Sequence, residues 1–338
     1  MRKGNVRGKE QTAVLATIGH QANSWKDKNR PFCQPWAICR RRAVLHGQPR
    51  LVTALAGRYS TTMNKNFVLL LLLGVVSGPL VSAASGQLLI AHRGASKDAP
   101  ENTLSAFRLA WEQGADGVEG DFYLTKDQQI VCIHDSDTER TAGRKLNIAE
   151  STFDELRQLD VGIWKGEAFR GERIPTLSEV LSVIPAGKKL FLEVKCGPEI
   201  VPAVAKELKN FKLAADQLIF ISFNENVIAA ARKQLPLHQA YWLCGFSKKQ
   251  EESHWKPSWD RVLEVLKETR ASGLNAQARL EVLTPEHLAA LSDAGFGLHC
   301  HTVNDASHAK AMQKLGVESI TTDRPAFLRQ CLFPAEQP

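Results

Sequence analysis

A chain of 338 residues is long enough for one large domain or two ordinary ones, and 43% hydrophobic with 23% charged residues is the composition of a globular protein with a real core. The formal net charge of +7 suggests a basic protein, yet residues 1–62 hold 12 Lys or Arg against 2 Asp or Glu, whereas residues 84–338 hold 30 against 34. The core-forming part is therefore slightly acidic, which removes the support for a nucleic-acid-binding surface.

Residues 1–62 are rich in Arg, Gln and Asn without any sustained period, and read as a disordered leader or as sequence upstream of the true start at Met63. From Met63 a single Lys65, the apolar run Phe67–Leu73 and the small-residue exit Val81-Ser82-Ala83 describe a secretory signal peptide over 63–83. The run is short and soon followed by Pro79, so no stable membrane span is expected, and the protein is expected to be secreted or periplasmic.

Beyond residue 84 short apolar runs alternate with amphipathic stretches. Strands are expected at Leu88–Ala91, Gly117–Leu124, Lys189–Val194, Leu218–Phe223, Ala240–Cys244, Gly273–Ala276, Gly297–Val303 and Ser319–Thr322. Helical spacing follows several of them, as at Leu104–Trp111 (capped by Asn102 or Thr103), Thr284–Asp293 and Asp305–Leu315. Eight strands with crossover helices suit a TIM-type (β/α)8 barrel, an open doubly wound sheet being the competing arrangement. One further run, Ile130–His134, follows the second strand too closely for a crossover and must form a hairpin with it, so that about 127–175 becomes a small insertion after strand 2.

With the hairpin turn centred between Lys126 and Asp127, Glu119 is expected opposite His134 and Asp121 opposite Cys132, all on one face. His92-Arg93 follows the first strand, and Glu193 and Lys195 flank the end of the strand after the insertion; these strand ends form the rim where barrels build their sites. Three carboxylates at one rim repel each other unless a cation joins them, and an all-oxygen set favours Ca²⁺ or Mg²⁺. Arg93 and Lys195 carry the positive charge that suits a phosphate. Taken singly, each feature has a bland reading, as a capped turn, a solvated edge or a salt-bridged pair; their convergence on one rim argues for chemistry. The seven cysteines include no C-x-x-C pair, and the five after residue 83 read as small buried hydrophobes rather than disulfide partners.

The strings Ala91-His92-Arg93-Gly94, Pro100-Glu101-Asn102-Thr103, Glu119-Gly120-Asp121, His134-Asp135, Glu193-Val194-Lys195, Thr302-Val303-Asn304 and Thr322-Asp323-Arg324-Pro325 resemble, in order and spacing, those of glycerophosphodiester phosphodiesterases over roughly residues 88–328. The resemblance implies a TIM barrel with an insertion after its second strand. It implies His92 and His134 as the general acid/base pair, Glu119, Asp121 and Glu193 as ligands of one divalent cation, and Arg93 and Lys195 as phosphate contacts. The activity implied is hydrolysis of a glycerophosphodiester to glycerol 3-phosphate and an alcohol through a cyclic phosphate. A phospholipase-type enzyme acting on lysophospholipids or phosphoinositides, and a non-catalytic binding module, are the alternatives. Two departures stand out: His299-Cys300-His301 replaces the family's usual Trp before Thr302, and the hairpin turn lacks the usual Gly.

Overall fold

The computed structural model describes residues 86–250 and 252–334. The expected leader and signal peptide, with Cys33 and Cys39, lie outside the described residues. Nine strands form one sheet: β1 (Leu88–Ala91), β2 (Gly117–Leu124), β3 (Ile130–Cys132), β4 (Lys189–Val194), β5 (Leu218–Ser222), β6 (Gln239–Cys244), β7 (Gly273–Gln277), β8 (Gly297–His301) and β9 (Ser319–Thr322). Every pairing except β2–β3 is parallel, and β1 bonds to both β9 and β2, so eight strands close into a barrel. Helices fill the crossovers, among them Leu104–Glu112, Ile200–Leu208, Glu225–Gln234, Trp259–Thr269, Pro285–Asp293 and Ala306–Lys314. Closure through β1 excludes the open doubly wound sheet. Among the described residues no helix is long and apolar enough to cross a membrane.

Side chains alternate between two apolar layers, as the strand period requires. Outward residues such as Phe122, Leu190, Leu192, Phe220 and Leu274 pack under the helices. Inward residues Ile90, Phe191, Ile219, Ile221, Tyr241 and Leu243 fill the barrel. On β2 and β4 the same inward row continues upward as Glu119, Asp121 and Glu193, all buried. Buried carboxylates thus replace apolar residues only at the top of the barrel.

β2 is longer than β1, which bonds to it only as far as Val118. The upper half of β2 is left with a free edge, and β3 takes that edge in antiparallel pairing. The insertion builds a small core of its own against β3 from Val131, Ile133, Ile148, Leu156, Val161 and Ile174.

The hairpin register differs by one residue from the expected one. Phe122 faces Cys132, Tyr123 faces Val131 and Leu124 faces Ile130. The cause is the turn: Thr125 N donates to Gln129 O at 2.9 Å and Gln128 takes φ +62°, so the loop has three residues centred on Asp127, ending in a left-handed residue. Three-residue loops of this kind normally use Gly at that place, and Gln128 adopts the conformation without it. Asp127 secures the turn by accepting from Thr125 Oγ1 at 2.6 Å and from Phe153 N at 3.0 Å. Consequently Glu119 is not opposite His134, and Cys132 shares the outward face with Phe122 rather than facing Asp121.

Candidate active site

The loop after β1 turns sharply over the barrel mouth. Gly94 has φ +81°, and a Cβ there would sit 2.6 Å from the Ala106 carbonyl carbon, so only glycine fits below the helix Leu104–Glu112. Arg93 (φ 55°) and Asn102 (φ 58°) are left-handed without being glycine, a concentration of backbone strain at the site. Of the two expected helix caps, Thr103 does the capping, accepting from Ala106 N at 3.3 Å. Asn102 is thereby freed for the site: its Nδ2 donates to Asp121 Oδ2 at 2.8 Å and its Oδ1 accepts from Asp121 N at 3.2 Å.

Glu119, Asp121 and Glu193 come together with one oxygen from each within 4.8 Å of the others. Arg93 N donates to Glu119 Oε2 at 2.9 Å, Arg93 Nε lies 3.3 Å from Asp121 Oδ2, and Lys195 Nζ contacts Glu193 at 2.8 Å and Asp121 at 3.4 Å. Glu119 Oε1 is buried without a hydrogen-bond partner, and Asp121 Oδ1 makes no hydrogen bond and has only the Lys195 ammonium 3.4 Å away. Leaving such oxygens unpaired is costly, and a cation between them would satisfy both. Burial first, then repulsion from Asp121 and Glu193, pushes the Glu119 carboxyl well above its usual range, and burial with repulsion from Asp121 raises Glu193. The donor set is all oxygen, as a hard divalent ion requires. This cluster can therefore hold a metal ion.

His92 leaves the end of β1 with Nδ1 2.6 Å from Asp323 Oδ1 and Nε2 3.9 Å from Glu119 Oε2. An ionised carboxylate only accepts, so the Nδ1 proton points at Asp323 and Nε2 is presented to the carboxylate cluster. Asp323 is itself fixed by Ser96 Oγ at 3.0 Å and Asn304 Nδ2 at 2.6 Å, while its backbone N donates to Asn304 Oδ1 at 2.9 Å. Burial works to raise the Asp323 carboxyl, but His92, Asn304 and Ser96 prevail and hold it down to about 2.

His134 lies past the end of β3, in the insertion, where it makes no hydrogen bond or ion pair with the three carboxylates. Its Nδ1 is 2.7 Å from Asp135 Oδ1, and it lines a cavity of about 10 Å³ with Glu101, Asn102 and Thr141. His301 ends β8: its Nδ1 is 2.9 Å from Asn275 Oδ1 and its ring meets the exposed Phe223 edge-on at 6.1 Å. Burial, then the neighbouring charges of His92 and Lys195, hold His301 down to about 4, so it is neutral near pH 7.

The structure thus joins His92, Arg93, Glu119, Asp121, Glu193 and Lys195 by direct contact and sets His134 at one remove. Asp323, Asn102, Glu101 and Asp135 were not singled out as site residues from the sequence. Asp323 carried a signal, an acid directly after the last barrel strand, but its partner is 231 residues away.

A profile of the glycerophosphoryl diester phosphodiesterase family matches residues 92–327. A glycerophosphodiester phosphodiesterase of Caldanaerobacter subterraneus subsp. tengcongensis is 35% identical over 250 residues, covering 71% of this chain and 96% of the relative. A phosphodiesterase of Oleispira antarctica, solved in complex with the product sn-glycerol-3-phosphate, superposes with a TM-score of 0.64 at 30% identity over 72% of this chain and 96% of its own. A glycerophosphodiester phosphodiesterase structure from Parabacteroides distasonis gives a TM-score of 0.59 at 27% identity, over 75% and 99% of the two chains.

Proposed function

The chain belongs to the glycerophosphoryl diester phosphodiesterase family and is a phosphoric diester hydrolase, and from that premise we propose that it cleaves small glycerophosphodiesters with His92 and His134 as its general acid/base pair. The observation that carries this reading is the presentation of His92 Nε2, through Asp323, to a buried cluster of three carboxylates with unpaired oxygens. Glu119, Asp121 and Glu193 hold one divalent cation, Ca²⁺ or Mg²⁺, which when bound supplies a positive centre for the phosphoryl oxygens.

One histidine removes the proton from the glycerol hydroxyl next to the phosphate, and that oxygen forms a bond to phosphorus as the bond to the alcohol breaks. The other histidine protonates the departing alcohol. Water then opens the cyclic glycerol phosphate with the proton roles reversed, which releases glycerol 3-phosphate. Imidazole suits both directions because its pKa lies near neutrality. Asp323 and Asp135 keep each Nδ1 protonated, so each Nε2 is the working atom. Arg93 and Lys195 contact the phosphate and offset the charge that gathers on its oxygens. The relatives' names favour a small diester over a lysophospholipid. Export by the segment 63–83, outside the described residues, is part of the same proposal.

The test is hydrolysis of glycerophosphocholine by the purified protein, read as glycerol 3-phosphate released with and without EDTA. The expected result is turnover that EDTA abolishes and Ca²⁺ or Mg²⁺ restores. EDTA-resistant turnover contradicts the cation, and no turnover of any glycerophosphodiester by folded protein contradicts the function.

A further inference from the structure

β3 ends at Cys132, and beyond it β2 still holds the backbone: Ile133 N donates to Asp121 O at 2.9 Å and Tyr123 Oη to His134 O at 3.3 Å. The His134 ring is held by side chains. Arg140, on the short helix Glu139–Ala142, donates from Nε to Asp135 Oδ2 at 2.6 Å, from Nη1 to Glu101 Oε2 at 2.9 Å and from Nη2 to Glu101 Oε1 at 2.7 Å. Glu101 in turn accepts from Arg93 Nη1 at 2.9 Å, and Arg93 reaches both Asp121 and Glu119. Charges of alternating sign therefore run from Asp135, beside His134, through Arg140, Glu101 and Arg93 to the carboxylate cluster.

The geometry of this chain is specific. Arg140 engages three carboxylate oxygens with three different nitrogens of one rigid plane, so the angle between Asp135 and Glu101 is fixed as well as their distances. Lysine, a point charge on a flexible stem, cannot fix that angle. Arg140 is 44% exposed and Asp135 33%, and pairs this open to water contribute little to stability. We infer that Arg140 is a positioning residue: by gripping Asp135 on one edge and Glu101 on the other, it sets the His134 imidazole against the carboxylate cluster. The inference rests on the reading of His134 as half of the acid/base pair.

The experiment compares Arg140→Gln, Arg140→Lys, His134→Ala and the double variant His134→Ala/Arg140→Gln in the full chain, with glycerophosphocholine as substrate and melting temperature as a control for folding. Misplacing a reacting group by about 1 Å costs on the order of 10²-fold, so Arg140→Gln is expected to lower kcat by about 10- to 100-fold with KM within about twofold. Arg140→Lys is expected to recover only part of that loss, and the double variant to be no slower than His134→Ala. Wild-type kcat in Arg140→Gln beside an inactive His134→Ala overturns the inference while leaving the reading of His134 intact. A further loss in the double variant also overturns it, because Arg140 then acts elsewhere. Full activity in His134→Ala overturns the reading of His134 and the inference together.

Discussion

Each of the two histidines leans on a carboxylate, at 2.6 Å for His92 and 2.7 Å for His134, but the two pairs are built differently. His92 ends a barrel strand, and Asp323 ends the neighbouring one; β1 and β9 bond to each other along four residues, so the backbone fixes the pair. Asp323 is held further by the neutral donors Ser96 and Asn304. His134 and Asp135 are consecutive loop residues; β2 holds the backbone beside them through Ile133 N to Asp121 O and Tyr123 Oη to His134 O, and a run of ion pairs through Arg140 and Glu101 supports their side chains. One imidazole–carboxylate pair is made rigid by hydrogen-bonded strands, the other, at the level of its side chains, by charge. A strand pair resists loss of a single side chain, whereas a charged chain depends on each member and on ionic strength.

The first way to test this contrast is to remove each carboxylate in turn. Asp323→Asn is expected to lower kcat by about 10²- to 10³-fold, because a positioned acid/base group contributes on that scale and the amide lets the imidazole take the wrong tautomer. Asp135→Asn is expected to cost about tenfold, since Arg140 and Glu101 remain to order the loop. Steady-state kinetics on glycerophosphocholine measures both, and equal losses would erase the distinction. Salt should act more gently. Raising ionic strength from about 0.1 to about 1 M shortens the screening length from ~10 to ~3 Å. Wild-type kcat is expected to fall two- to threefold (about 0.5 kcal/mol, in the range of exposed ion pairs), and Arg140→Gln to lose this dependence.

The smallest effect on kcat concerns the barrel floor, away from either histidine pair. His299 is buried among Phe191 and Tyr241, shares a 2.8 Å hydrogen bond with Ser319 Oγ, and is held down to about 3 by burial and then by Lys189. Its folded pKa is below the unfolded value of about 6.5, so the unfolded chain binds the extra proton and stability falls as pH drops from about 6.5 toward 3. Each pH unit in that window costs about 1.4 kcal/mol from this residue alone. His299→Phe is expected to flatten that slope in urea denaturation at pH 6, 5 and 4, leaving kcat near pH 7 within about twofold. An unchanged slope contradicts the burial argument.

Much of the molecule was legible in the sequence, for identifiable reasons. β1, β2, β4 and β9 occupy their expected residues, because each run meets charge or glycine within two residues of either end. The carboxylate cluster was legible because strand alternation places Glu119 and Asp121 on one face and parallel pairing sets Asp121 beside Glu193. What was not legible depended on events without local signature. Gln128 adopts a left-handed conformation that nothing in Lys126-Asp127-Gln128 announces, and this shifted the hairpin by one residue. Asn102 carries a helix cap's sequence signal, yet its strained backbone turns it toward Asp121. His134 was expected to be tied to Glu119 by strand register; Tyr123 on β2 holds its backbone instead, and ion pairs through Arg140 and Glu101 hold the side chains beside it.

The central claim, that His92 and His134 divide the acid and base roles in breaking the bond to the alcohol, is tested most directly by changing the leaving group. A p-nitrophenolate leaves without needing a proton, whereas choline does not. The measurement is kcat for His92→Ala and His134→Ala on glycerophosphocholine and on glycerophospho-p-nitrophenol, each relative to wild type. The account predicts that both variants fail on the choline diester and that one of them, the variant lacking the acid, recovers most of its rate on the p-nitrophenyl diester. Recovery of both variants, or of neither, would contradict a division of roles between the two histidines.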